Sequence, residues 1–190
     1  MKKQFVTWGA LLALLSTATP ALAQSNQVIG GGFAIGSQTF DQAGSENTGG
    51  DNYSLDSYYR YMTDDNFGIE AGIFGGQGGV VSVFSNLLTS EGDAKDFAYA
   101  GIRTAAYAQV HASESNLFYA KLGLSANRLT YNRIINKQEI DEHHSGVDFY
   151  GAAGWEYQFD NGLGVNLEYQ YVPVQKLTVK NVFFGLNYRF

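Results

Sequence analysis

The sequence predicts an all-β fold, an eight-stranded antiparallel up-and-down transmembrane β-barrel, and three observations carry that prediction. Segments of about ten residues or more alternate apolar and polar side chains. Short turns and longer links alternate between them. Aromatic residues collect at the segment ends. Side chains of a strand alternate between its two faces. A membrane-spanning barrel strand turns the apolar face to lipid and the polar face to the lumen. The composition, with 23 Gly, 13 Tyr and 13 Phe, suits such a chain better than a helical one. Apolar spacing at i, i+3, i+4 and i+7 is not evident over any long stretch.

Lys2 and Lys3, an apolar run from Phe5 through Leu15, and Ala21-Leu22-Ala23 have the form of a cleaved secretory signal peptide over residues 1–23. The run is shorter than the roughly 20 residues a helix needs to cross a bilayer. The barrel domain is then residues 24–190. Removing the signal takes two of twelve basic residues and none of eighteen acidic ones, for a net charge of −8. That excess of acid argues against nucleic acid as a partner, because phosphates call for a basic footprint. There is no Cys, hence neither a disulfide nor a lipid-modified terminal Cys. No cofactor is expected.

The strand-like segments are Gln27–Phe40, Asn52–Met62, Phe67–Gln77, Phe97–Val110, Leu117–Tyr131, Val147–Phe159, Leu163–Val172 and Thr178–Phe190. The first is rich in Gly and has the weakest alternation. The second sets Asp56 and Arg60 opposite Tyr53, Leu55, Tyr59 and Tyr61. In the third, Glu70 opposes Phe67, Ile69, Ala71 and Ile73. In the fourth, Arg103 and Gln109 oppose Ile102, Ala106 and Val110. The fifth divides into Phe118, Ala120, Leu122 and Leu124 against Tyr119, Lys121, Ser125 and Asn127. The sixth turns Val147, Phe149, Trp155 and Tyr157 outward and Asp148, Glu156 and Gln158 inward. The seventh places Glu168 between outward Leu167 and Tyr169, and the eighth ends NVFFGLNYRF, with Arg189 inward. Thr63–Asn66, His111–Asn116 and Asp160–Gly162 are short turns, the last with Asn-Gly chemistry. Asp41–Asp51, Gly78–Asp96, Asn132–Gly146 and the smaller Pro173–Leu177 are the longer links, expected as external loops. An even strand count puts both termini on the periplasmic side. A soluble barrel with an apolar lumen shares the alternation; the loop lengths and aromatic ends favour the membrane.

Tyr59-Arg60-Tyr61 followed by Asn66-Phe67-Gly68-Ile69-Glu70-Ala71-Gly72 resembles a hairpin of the OmpA/OmpX-type small outer membrane barrels, a porin-like family. Gly154–Phe159 leading into Leu163–Tyr169 resembles their later hairpin, and Gly185–Phe190 their closing strand. Tyr188 and the terminal Phe190 are similar to the C-terminal signature that the barrel-assembly machinery reads. The resemblance implies a bacterial outer membrane location, contact with lipid and lipopolysaccharide, and a polar but closed interior. The chain is expected to end at the barrel, without the periplasmic domain that follows it in OmpA.

Asp56, Glu70, Asp148, Glu156 and Glu168 share the inward parity with Arg60, Arg103, Lys121 and Arg189. An eight-stranded lumen is filled by side chains, so such charges must pair. They are expected to be a structural network rather than an ion path. Val80, Val83, Phe84 and Leu87 make the second long link apolar and a candidate contact surface, unless strand pairing simply continues there. His143 and His144, beside Glu139, Asp141 and Glu142, are candidate loop contacts; their spacing fits no tight metal motif. His143, Ser145 and Glu156 resemble the Ser/His/Glu set of outer membrane lipid A deacylases, but Gly146 stands where those carry Asn, and Glu156 has the inward parity. The expected function is non-enzymatic. External loops on a rigid barrel would mediate adhesion, binding of a host or surface ligand, or envelope stability. A narrow channel and a deacylase are the alternatives.

Overall fold

Eight strands close into one antiparallel barrel in the computed structural model, which describes residues 26–42, 45–78, 94–135 and 138–190. The strands are β1 (Gln27–Gln42), β2 (Ser45–Met62), β3 (Phe67–Gly78), β4 (Ala94–His111), β5 (Asn116–Ile135), β6 (Gln138–Gln158), β7 (Leu163–Val174) and β8 (Leu177–Arg189). Each pairs with its sequence neighbour, and β1 pairs with β8 from Val28↔Arg189 to Phe40↔Leu177. Every described strand therefore has two partners, which removes the exposed edges of an open sheet. Residues 1–23 and the stretch with Val80, Val83, Phe84 and Leu87 lie outside the described residues.

The three short turns share one end of the barrel, and side-chain oxygens hold them. Asp64 Oδ1 accepts from the Asn66 and Phe67 amides at 2.8 and 2.9 Å. Ser113 Oγ accepts from the Asn116 amide, and Asn161 Oδ1 from that of Leu163. Asn, Asp and Ser in such turns substitute for a missing backbone acceptor. Gly162 takes φ 85°, a conformation that Gly adopts without strain.

The outer wall is apolar through its middle. Ile73, Ile102, Leu122 and Leu186 are each about 60% exposed, and Phe33, Phe118 and Phe149 more than half. The inner wall of β1 explains its glycines. A Cβ on inward Gly30 would meet the Tyr58 ring, one on Gly32 the Phe184 carbonyl and Phe183 ring, and one on Gly36 the Asn181 side chain. The weak alternation of that segment follows from crowding within the lumen.

Two expected loops are strand instead. Asp41–Asp51 lies almost wholly in β1 and β2, and Asn132–Gly146 in β5 and β6, whose pairing continues to Ile135↔Gln138. Asp141 to Gly146 are consequently ribbon residues, not loop residues. Thr130 and Tyr131 supply β-branched and aromatic character that favours pairing where the ribbon begins. Of the Pro173–Leu177 link, only Gln175 and Lys176 are turn, with Gln175 at φ 57°.

Candidate functional site

Closure of the barrel brings side chains from β2 to β7 together in the middle of the lumen, with Glu70 at their centre. Glu70 Oε2 accepts from Arg60 Nε and Nη2, each at 3.1 Å. Its Oε1 takes Arg103 Nη2 at 3.1 Å and Lys121 Nζ at 2.9 Å. Arg103 also binds Asp56, Lys121 reaches Glu168 at 2.8 Å, and Arg60 lies 3.7 Å from Glu156. All seven are buried. Aromatic rings fill what remains: Arg60 lies 3.7 Å above the Tyr107 ring centre, Arg103 packs on Tyr150 and Lys121 on Tyr58. Tyr150 and Gln170 donate to Glu168. Buried ions are tolerated only with close partners on their remaining donors and acceptors. Here nearly every charge has two partners or an aromatic face.

Asp148 and Arg189 stand apart from this cluster. Arg189 lies at the short-turn end, half-buried. Asp148 sits near the other end and accepts three hydrogen bonds, from the Gln175 amide N–H at 2.8 Å, Gln175 Nε2 at 2.9 Å and Asn127 Nδ2 at 3.0 Å. It thereby holds the β7–β8 tip over the lumen. Beneath that tip Leu129, Val172, Val174, Leu177 and Val179 pack with Tyr131, Tyr150, Phe74 and Tyr99. This apolar cap above the charges is absent from the sequence-based picture of a polar lumen. Asp148→Ala is expected to leave the strained Gln175 turn without its acceptor, at about 1–3 kcal/mol. Trypsin should then cut after Lys176 faster than in the unaltered barrel; an unchanged cleavage rate would mean that apolar packing alone holds the tip.

The histidines fall on opposite faces of the β5–β6 ribbon. His143 is exposed, with Nδ1 3.0 Å from Thr130 Oγ1. His144 turns inward and stacks on Tyr131 at 5.8 Å, with Nε2 3.6 Å from Glu142 Oε2. Tyr131 donates to Glu142 at 2.6 Å. Among the described residues no three His, Cys, Asp or Glu side chains are placed to hold a metal ion. Nor do His143, Ser145 and Glu156 meet. Ser145 and Glu156 lie eleven positions apart on β6, about 37 Å along an extended strand, and Glu156 is buried beside Arg60. A triad needs hydrogen-bond contact. Tyr188 and Phe190 stack at the short-turn end with ring centres 6.3 Å apart.

Ail, the attachment invasion locus protein of Yersinia pestis, matches with a TM-score of 0.57 at 18% identity, over 88% of this chain and 100% of that one. It has also been solved with the heparin analogue sucrose octasulfate. Neisserial surface protein A matches at 0.59 and 12% identity, over 87% and 98% of the two chains. The N-terminal barrel domain of Pseudomonas aeruginosa OprF matches at 0.50 and 14%, with the same coverage. These likenesses are of fold. No curated relative matches the sequence. Residues 9–190, nearly the whole chain, match the outer membrane protein beta-barrel domain, and the protein belongs to that family of the outer membrane.

Proposed function

We propose that the protein is a non-enzymatic surface protein of the outer membrane, whose barrel is an anchor and whose long-ribbon end makes the contacts. The observation that carries this is the length of β5 and β6, 20 and 21 residues, about twice what a tilted strand needs to cross a bilayer. The surplus forms a paired ribbon with alternate faces available to a partner. On this reading the long-ribbon end is extracellular. The short turns and both termini are periplasmic, the segment 1–23 is cleaved on export, and Tyr188 and Phe190 are what the assembly machinery engages.

Adhesion to a host or other surface, binding of a soluble host factor, and envelope stability all fit such an end. The structural likeness to an attachment protein supports adhesion as the first of these to test. The charge cluster and the apolar cap fill the lumen in series, which weighs against a conducting path. The separation of His143 and Ser145 from Glu156 weighs against hydrolysis. Cells displaying the intact protein are expected to adhere several-fold better than cells displaying a barrel in which Val80–Asp93 and Arg133–His144 are replaced by short turns. Surface level and heat-modifiable gel mobility must match between the two. Equal adhesion would reject the adhesin reading.

A further inference from the structure

On the lipid-facing wall a groove of about 660 Å³ runs across the strands. Ser57, Ala71, Ile73, Thr104, Leu124 and Ala126 are among its walls. It follows two adjacent rows of paired residues, Tyr59↔Ala71↔Thr104↔Leu124 and Ser57↔Ile73↔Ile102↔Ala126↔Val147. Small side chains along these rows leave the depression between larger ones. From β2 to β6 it runs four strand spacings, about 19 Å. That is a long, narrow, apolar channel open to the hydrocarbon.

Its upper end has a charge beside it. On β5 the outward residues Phe118, Ala120, Leu122, Leu124 and Ala126 cover nine positions, enough to cross the hydrocarbon. Arg128 is the next outward residue, paired across to Ser145 one step beyond the Ala126↔Val147 end of the groove. It is exposed and has no hydrogen bond or ion pair among the described residues. Thr130, His143 and Ser145 surround it on the same face; the nearest outward acid of the ribbon, Asp141, is paired with Asn132, four positions farther along β5. A guanidinium at headgroup depth with no partner among the described residues, on an acidic chain of net charge −6, has phosphate as its natural partner. Lys180, the outward cation at a similar level on β8, faces Tyr171 and Ser37 and not the groove.

We propose that this wall is a binding site for a phosphorylated, acylated lipid of the outer leaflet. Arg128 takes the phosphate in a bidentate contact, the Thr130 and Ser145 hydroxyls complete the polar patch, and one acyl chain lies in the groove. The site rests on the orientation given above, with the ribbon end outward, but not on adhesion.

The test is native mass spectrometry of the folded full-length protein released from detergent micelles, with bis-phosphorylated hexa-acyl lipid A as probe. Dephosphorylated lipid A, phosphatidylethanolamine and inorganic phosphate are the comparison arms. The intact protein is expected to retain one lipid A, to hold it at least tenfold more tightly than the dephosphorylated lipid, and to hold it more tightly than phosphatidylethanolamine, whose single phosphodiester carries less negative charge. Arg128→Gln should weaken retention at least tenfold, Ala71→Leu, which fills the groove, should weaken it severalfold, and Lys180→Gln should leave it unchanged. Heat-modifiable mobility confirms that each variant is folded. Equal retention by Arg128→Gln, or equal binding of the dephosphorylated lipid, overturns the proposal. Full competition by inorganic phosphate overturns the acyl-chain half of it. Because the measurement uses isolated protein, loss of adhesion and loss of lipid binding are read separately.

Discussion

Glu70→Ala is expected to lower the stability of the folded barrel by about 3–5 kcal/mol, the range for breaking a buried ion pair from one side. Charge balance is not what the substitution removes. Asp56, Glu156 and Glu168 would remain opposite Arg103, Arg60 and Lys121, three against three. The loss is of acceptors. Four N–H donors on three buried cations end on the two Glu70 oxygens, and an alanine leaves all four without that partner. No neighbour replaces them, since Glu156 stands 3.7 Å from Arg60 and Glu168 is engaged by Lys121, Tyr150 and Gln170. Glu70→Gln keeps one acceptor oxygen and should lose less. Urea titration of barrels folded into lipid vesicles, followed by gel mobility, reads both. A loss below about 1 kcal/mol would mean that water reaches and screens these cations.

Leu122→Arg should be of similar size for the opposite reason. Leu122 lies midway along the outward run of β5 and is 61% exposed to whatever surrounds the barrel. If that surrounding is hydrocarbon, a cation there costs about 2–4 kcal/mol at the bilayer midplane, falling toward zero at the interfaces. The same substitution just beyond Arg128 should therefore be nearly neutral, and Thr130→Arg, two positions farther along β5, serves as the control. On a water-soluble barrel, both changes would be harmless. Equilibrium folding into vesicles of defined thickness measures the difference between the two positions. Equal values would show that this face does not meet the acyl chains.

What the sequence made legible was parity. Strict alternation in β7 and β8 separates Val165, Leu167, Tyr169 and Val182 from Asn166, Glu168 and Gln170, and the loop lengths and aromatic ends turn the first set outward. The parity also named the buried charges, but not their partners, because Glu70, Lys121 and Glu168 lie on strands 3, 5 and 7 and meet only across a closed lumen. The cap was hidden for a different reason. Around Val172, Val174, Leu177 and Val179 the inward residues are apolar while Thr178 and Lys180 lie on the other face, so the apolar-out pattern inverts where the tip folds inward, and Pro173 reads as an end. Strand length was misjudged in β5 and β6 because polar residues such as Asn132, Glu142 and His143 look like loop once the apolar face stops. Pairing continues regardless, since a ribbon in water has no need of an apolar face to satisfy its backbone. For His144 the missed signal was its cross-strand neighbourhood with Tyr131 and Glu142, legible only with the register in hand.

The seam between β1 and β8 has a consequence for how the chain reaches this shape. The two strands that complete the cylinder are the first and last of the eight, so their pairing from Val28↔Arg189 onward spans the greatest separation along the sequence. Contacts of that kind carry the largest loop-closure penalty and form late. Until β8 arrives, β1 presents an unpaired rim with Phe33 and Ile35 on one side and the bare glycines on the other. A nascent chain cannot secure its structure strand by strand as it emerges. The time between synthesis and closure is therefore when this protein is most exposed to aggregation and proteolysis.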